Sequence, residues 1–191
     1  QEFAYIVSHD LSAVLRQVGG FAQIIYDKHA DSFDARTRRH FDLIIEGAET
    51  GKEILSGLLL YSRLNTVDAP MERVDCNAIF KEACQELAED IAQIKPDISC
   101  EDLPTVTANR DRLKQVFFHL LENALTFTRE DIGPEVNVTV KEADDAWLFA
   151  MQDNGMGIRA SHHKAIFDVL QTSAGKKYDG LGMGLAMARK I

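Results

Sequence analysis

Four short stretches of this sequence place together residue types that can do chemistry. The first, "SHDL", sets His9 beside Asp10 inside an apolar, helix-patterned run. At about 100° per residue, the stripe Phe3, Val7, Leu11, Val14, Val18, Phe21 and Ile25 covers one narrow face. Position 9 falls nearly opposite that stripe, so His9 reads as an outward-facing imidazole and not a core histidine. The second stretch is "HLLENALTFT". His119 and Asn123 are spaced i and i+4, on a polar face that also carries Gln115, Glu122 and Thr126, and they meet one cleft side by side. An amide oxygen there suits Mg²⁺ on a nucleotide as a hard ligand, although a purely structural helix can carry the same pattern.

The third stretch, "DNGMGI", follows directly on a strand pattern, so Asp153 emerges into a turn permitted by Gly155 and Gly157. A carboxylate there can accept a hydrogen bond from the exocyclic amine of adenine, a donor guanine lacks at that position. A plain Asp-Asn-Gly turn is the competing reading. The fourth is "GLGMGL", where Gly180, Gly182 and Gly184 alternate before a helix begins. Such a loop brings backbone N–H groups close to phosphate oxygens, or is simply flexible. It lacks the Gly-Lys-Ser/Thr of a Walker loop and the third glycine of the dinucleotide fingerprint.

These residues need elements to hold them. The first helix runs from about Phe3 to His29 and breaks at "HADSFD"; a second carries Phe41, Ile44, Ile45, Ala48, Leu55, Leu58 and Leu59. Together they form a helical hairpin with a single apolar face. One hairpin cannot bury that face, whereas two copies in a four-helix bundle can, so a homodimer is expected. "NTVDAP" reads as a linker, after which the pattern becomes α/β. "MERVD" reads as a strand, Asn77 as the cap of a helix "AIFKEACQELAEDI", and "DISCEDLPTVTAN" as two short strands around a Pro turn. A strong helix is predicted from about Arg110 to Phe127. A β-hairpin follows over "EVNVTVKEADDAWLFAMQD", with Asp144–Asp145 near its turn. A helical stretch is expected around "HHKAIFDVL".

Composition narrows the function classes. The chain has 191 residues, 46% hydrophobic and 27% charged, with a net charge of -9. That balance argues against phosphate-backbone binding, and no nucleic-acid partner is expected. Cys76, Cys84 and Cys100 form no C-x-x-C pair, which suits a reducing cytoplasm and neither a disulfide framework nor a zinc site. No apolar run approaches ~20 residues. Both ends fall inside amphipathic patterns, so a fragment of a longer protein is expected, its parent soluble or membrane-tethered.

In order and spacing, the motifs resemble the catalytic portion of the sensor histidine kinases of two-component signalling, with a phytochrome-like flavour towards the tail. "SHDL" resembles the phosphoacceptor box, "HLLENALTFT" the asparagine box, "DNGMGI" and "DGLGMGLAMARKI" the two glycine boxes, and "AIFDVL" the Phe-containing box. The resemblance implies that His9 is the phosphorylated histidine, with Asp10 its acidic neighbour holding the proton on the other ring nitrogen. It implies that Asn123 is the Mg²⁺ ligand, that Asp153 reads adenine, and that His119, Gly155, Gly157, Gly180, Gly182 and Gly184 shape the ATP pocket and its lid. His9 would then face outward to meet the γ-phosphate and later a response regulator receiver domain.

Departures from the pattern accompany these matches. Val14 stands where a Pro is usual, Ala13 where many members carry Thr or Asn, and His119 where Asn is commoner. Thr126 replaces a frequent Lys and Thr172 a frequent Arg, while Lys176 and Lys177 could compensate. The expected architecture is α plus α/β. Residues 1–66 form a dimerisation and histidine phosphotransfer domain, and residues 67–191 an α/β sandwich that binds ATP and is C-terminally incomplete. An upstream sensor domain in the full-length protein is implied. The alternative is a degenerate kinase, a dimeric docking or phosphotransfer module with weak nucleotide binding.

Overall fold

A computed structural model describes residues 2–64, 70–171 and 182–191, leaving aside the side chains of residues 2–9 and 63. Most of the expected linker, residues 65–69, and Gly180 in the fourth motif lie outside the described residues. The chain divides into two compact units, Gln1–Val67 and Asp68–Ile191.

The first unit is the helical hairpin. Helix α1 spans Glu2–His29, a 3₁₀ turn covers Ala30–Ser32, and α2 spans Ala35–Arg63. Asp34 caps α2 by accepting the Thr37 N–H at 2.7 Å, which satisfies one of the otherwise unpaired amides of its first turn. The corner is closed by aromatic rings, with Phe33 stacked on Phe41 at 5.0 Å and Tyr26 tilted against both. Along the seam the helices approach through small residues. Ala22 and Ala48 are buried, a Cβ on Gly19 would stand 3.0 Å from the Ala48 methyl, and one on Gly51 would stand 2.9 Å from a Leu15 methyl.

This seam corrects the expectation of a single apolar face. On α1 it runs through Ser12, Leu15, Gly19, Ala22 and Tyr26, all half-buried or buried. The stripe read from the sequence lies about 100° further round the helix. There Leu11, Val14, Val18, Phe21 and Ile25 remain between 43% and 64% exposed. A heptad spacing repeats at both offsets, so α1 carries two seams, and α2 occupies only one.

The second unit is a two-layer α/β sandwich. Strand β1 (Glu72–Asp75) pairs antiparallel with β3 (Thr105–Ala108). The other sheet has the order β2-β4-β5. Here β2 (Asp97–Cys100) runs parallel to β4 (Glu135–Ala143), which pairs antiparallel with β5 (Ala146–Asp153). The helices are α3 (Cys76–Glu86), α4 (Ala88–Ile94), α5 (Arg110–Thr126) and α6 (Gly184–Lys190). Inward residues of β4, Val136 and Val138, meet Ile79 and Ala83 of α3 and Leu121 and Ala124 of α5 in one core. Phe117 sits at its centre, edge-on to Phe80 at 5.7 Å and to Phe149 at 5.9 Å.

Three local expectations change. The helix read as "AIFKEACQELAEDI" is two helices, because the chain turns at buried Leu87. Asp75, not Asn77, caps α3, accepting the Asn77 N–H at 2.9 Å. The Asn77 side chain instead reaches the bend before β3, bonding Asp102 and both backbone groups of Leu103. The stretch around "HHKAIFDVL" forms two 3₁₀ turns, Ala160–His162 and Ala165–Phe167. The stretch "DISCEDLPTVTAN" is two short strands on either side of Pro104, as expected, and β2 and β3 join different sheets.

Candidate functional site

Helix α5 is the element that orients the polar cluster of the second unit. Asn109 caps it, accepting the Arg112 N–H at 2.9 Å, and Asp111 adds negative charge to its first turn. Arg110 pairs with Glu82, and Lys114 with Glu86 at 2.6 Å, locking α5 against α3. This fixes its rotation: Phe117, Leu121, Ala124 and Leu125 are buried. His119, Glu122, Asn123 and Thr126 then lie on the more open side. The His119 side chain is only 12% exposed, with Nδ1 3.4 Å from the Glu122 carboxylate. The helix ends where the Phe127 N–H bonds the Asn123 carbonyl at 3.1 Å.

The turn after β5 is bound to that helix end. The Phe127 carbonyl accepts the Met156 N–H at 3.0 Å. Gly155 lies so close beneath it that a Cβ there would overlap the oxygen. Asp153 Oδ1 accepts the Gly155 N–H at 2.9 Å, so the Asx-turn reading holds and also orients the exposed carboxylate. Asn154 fastens the turn to the start of β4, accepting the Glu135 N–H and donating to the Gly133 carbonyl, both at 2.9 Å. Gly157 has φ +67°, a conformation glycine adopts without strain.

Helix α6 covers the other end of the cluster. Its first residue, Gly184, lies over the His119 ring, where a Cβ would stand 3.3 Å from Nδ1. Met183, Ala186 and Met187 bury the inner face of this short helix. Just before it, Gly182 at φ +64° packs on the backbone of Gln171, leaving no room for a side chain. The Leu170 N–H bonds the Gly182 carbonyl at 3.1 Å. The Arg189 guanidinium sits 5.9 Å from the centre of the Phe167 ring, joining α6 to the second 3₁₀ turn.

The structure therefore sets Gly184 against His119 on α5 and binds the turn of Asp153 and Gly155 to the end of the same helix, just past Asn123, with Gly157 and Gly182 in the adjoining turns. His9 and Asp10 belong to the other unit. On the α1 backbone, position 9 lies about 160° from the exposed stripe and about 100° from the hairpin seam by helical periodicity. Asp10 is exposed. Three contributors were not singled out from sequence: Glu122 beside His119, Asn154 as the fastening of the turn, and the Phe127 carbonyl. Glu122 was legible as an i+3 spacing; a backbone carbonyl leaves no sequence signal.

The cluster suits a polyphosphate with its own cation. Among the described residues, no three His, Cys, Asp or Glu side chains gather as a metal cage. A hard cation held by Asn123 would need most of its oxygen ligands from phosphates and water, as Mg²⁺ on a nucleotide has. The side-chain oxygen of Gln115, one turn before His119, is buried without a hydrogen-bond partner among the described residues.

Residues 108–191 match the family described as Histidine kinase-, DNA gyrase B-, and HSP90-like ATPase, a span that holds α5, the Asp153 turn and α6. Across 192 aligned residues the chain is 31% identical to cyanobacterial phytochrome A of Nostoc sp., covering 100% of this chain and 25% of that protein. It is also 31% identical over 192 residues to the phytochrome-like protein Cph1 of Synechocystis sp., covering 100% of this chain and 26% of Cph1. The chain thus spans about a quarter of the length of these relatives. Among solved structures, full-length ShkA in complex with AMPPNP superposes with a TM-score of 0.69 at 22% identity, over 99% of this chain and 40% of that one. Histidine kinase ThkA in complex with the response regulator TrrA gives 0.61 at 20% identity, over 100% of this chain and 53% of that one. These superpositions cover the hairpin as well as the sandwich. Among the described residues no helix is long and apolar enough to cross a membrane. Residues 108–191 thus carry the ATPase-type domain that histidine kinases share with DNA gyrase B and HSP90, and along its whole length the chain is similar to the corresponding quarter of the cyanobacterial phytochromes.

Proposed function

We propose that this chain is a kinase core that moves the γ-phosphoryl group of ATP to His9 and then to an aspartate of a response regulator. The observation that carries the reading is the junction of α5 with the Asp153 turn and α6. There the Phe127 carbonyl ties the end of α5, which carries Asn123, to the turn that holds the Asp153 carboxylate, and Gly184 lies against His119, which supports the reading. Asp153 would accept the adenine amine, and Asn123 would hold Mg²⁺. Gly155, Gly157, Gly182 and Gly184 would let the backbone approach the nucleotide, with Gly180 added from its motif.

In the transfer, one imidazole nitrogen of His9 attacks the γ-phosphorus in line. The bond from that phosphorus to the β–γ bridging oxygen breaks, and ADP leaves. Asp10 would hold the proton on the other ring nitrogen and so fix the attacking tautomer. A receiver carboxylate then attacks the phosphorus, and the N–P bond breaks with the electron pair returning to the imidazole. Bound AMPPNP in ShkA and bound TrrA with ThkA support the nucleotide and the response regulator. The exposed α1 stripe supports a homodimer. The relatives' greater length supports an attached sensor domain. The reading places the core in the cytoplasm, where ATP and receivers are.

One observation favours the degenerate-module alternative. Thr126 stands where the resemblance implies a Lys, and its hydroxyl is turned back to the Glu122 carbonyl at 2.8 Å. Calorimetric titration with AMPPNP, with and without Mg²⁺, separates the two. The kinase reading predicts Mg²⁺-dependent binding that Asn123→Ala weakens by about tenfold or more. Absence of binding to the wild-type chain would leave the docking module.

A further inference from the structure

Nothing in the ATP-binding reading assigns a task to Glu122. It sits on the exposed side of α5, and its neighbour His119 is enclosed: one ring edge faces Phe118 at 5.3 Å between centroids, and Gly184 lies against Nδ1. With the side chain 12% exposed, the imidazole has little freedom to turn. Its Nδ1 faces Glu122 Oε2 at 3.4 Å, while the Glu122 side chain stays 48% exposed and keeps its solvation. A carboxylate only accepts hydrogen bonds. The ring nitrogen opposite it must therefore carry the hydrogen for the contact to be favourable, and the partner on one nitrogen sets the state of the other.

We propose that Glu122 is a positioning residue that holds the Nδ1–H tautomer of His119, so that Nε2 presents a lone pair to the bound Mg²⁺–nucleotide. The inference rests on the ATP-binding reading above and specifies how this chain differs at the position. With Nδ1 engaged, His119 offers an acceptor one helical turn before the Asn123 amide oxygen. Two acceptors at i and i+4 suit a hydrated cation, whose water ligands donate hydrogen bonds, better than bare phosphate oxygens. His119 is then an outer partner of the cation's water and not a substitute for the cationic residue missing at Thr126. No bond is made or broken in this role.

The tautomer can be read without nucleotide. In long-range ¹H–¹⁵N spectra of the whole chain, the neutral form of His119 is expected to show protonated Nδ1 and unprotonated Nε2. Glu122→Ala should return it towards the Nε2–H form, and Glu122→Gln, which keeps an acceptor oxygen, should retain Nδ1–H. In AMPPNP titrations, Glu122→Ala should weaken binding by about tenfold with Mg²⁺ present, the lower end for partners that orient a metal site, and by less than about twofold in EDTA. A wild-type Nε2–H tautomer would overturn the proposal. So would an Nδ1–H tautomer indifferent to Glu122→Ala, or an equal loss of affinity with and without Mg²⁺. If the wild-type chain binds no AMPPNP, the ATP-binding reading fails, and the spectra still report on the Glu122–His119 contact by itself.

Discussion

Gly155 passes directly beneath the carbonyl oxygen of Phe127, and that oxygen also accepts the amide of Met156 at 3.0 Å. The end of α5 and the turn after β5 are thereby one piece, and a methyl group at position 155 has no place to go. Gly155→Ala is expected to cost about 1–3 kcal/mol, the range for forced overpacking. Gly157 also has a positive φ, but a Cβ there meets nothing within 4 Å, so Gly157→Ala should cost less, about 1 kcal/mol. Denaturant melts of the two variants check the order. Equal losses would mean that the Phe127 contact is not a constraint.

Asp153 divides its work between the turn and the ligand. Asp153→Asn keeps a side-chain oxygen for the Gly155 N–H but can turn a donor towards the adenine amine. Thermal stability should change little, while AMPPNP affinity falls by about 2–3 kcal/mol, the loss of a hydrogen bond to a charged group. Calorimetry beside a melting curve separates the effects. Unchanged affinity would remove Asp153 from the adenine site.

The exposed stripe on α1 predicts self-association. Phe21 is 64% exposed within one hairpin, so Phe21→Glu should leave helix content intact and convert the chain to a monomer. Ala48→Leu, by contrast, should damage the hairpin itself, because Ala48 is buried against Gly19. Light scattering and circular dichroism read the two outcomes. A Phe21→Glu chain that remains dimeric would place the interface elsewhere.

Asp34 predicts an acid-sensitive α2 cap. Hydrogen bonds from the Thr37 hydroxyl and N–H hold its carboxyl below the usual range. The folded form therefore binds the proton more weakly than the unfolded chain. The stabilisation is present above roughly pH 4 and is lost as pH falls through the lowered folded value. The Thr37 amide resonance should follow this titration with a midpoint below roughly pH 4, and Asp34→Asn should abolish it. A midpoint at or above that value would contradict the cap's effect.

Much of this was legible in the sequence because periodicity and motif order are local properties. The bounds of α5, the hairpin with Asp144–Asp145 at its turn, and the two-unit order α then α/β all follow from patterning over short windows. What patterning missed depends on long-range partners. Asn77 looked like a helix cap until Leu103 and Asp102 came within reach from 25 or more residues away. The two seams of α1 could not be told apart, since Leu11 and Leu15 belong to equally good heptads and only α2 decides between them. In the site, Asn123, His119, Asp153 and the glycines were visible by type and spacing. The Phe127 carbonyl that ties them together has no side-chain signature, and the closure of Gly184 on His119 joins positions 65 apart in sequence.

Phosphoryl transfer to His9 is read most directly from the chemistry and position of the label left by γ-labelled ATP. The wild-type chain should carry an acid-labile, base-stable phosphoryl group, mapped by fragmentation to His9. His9→Gln should lose it while still binding AMPPNP. A label on another residue, or labelling that survives in His9→Gln, would mean that His9 is not the phosphoryl acceptor.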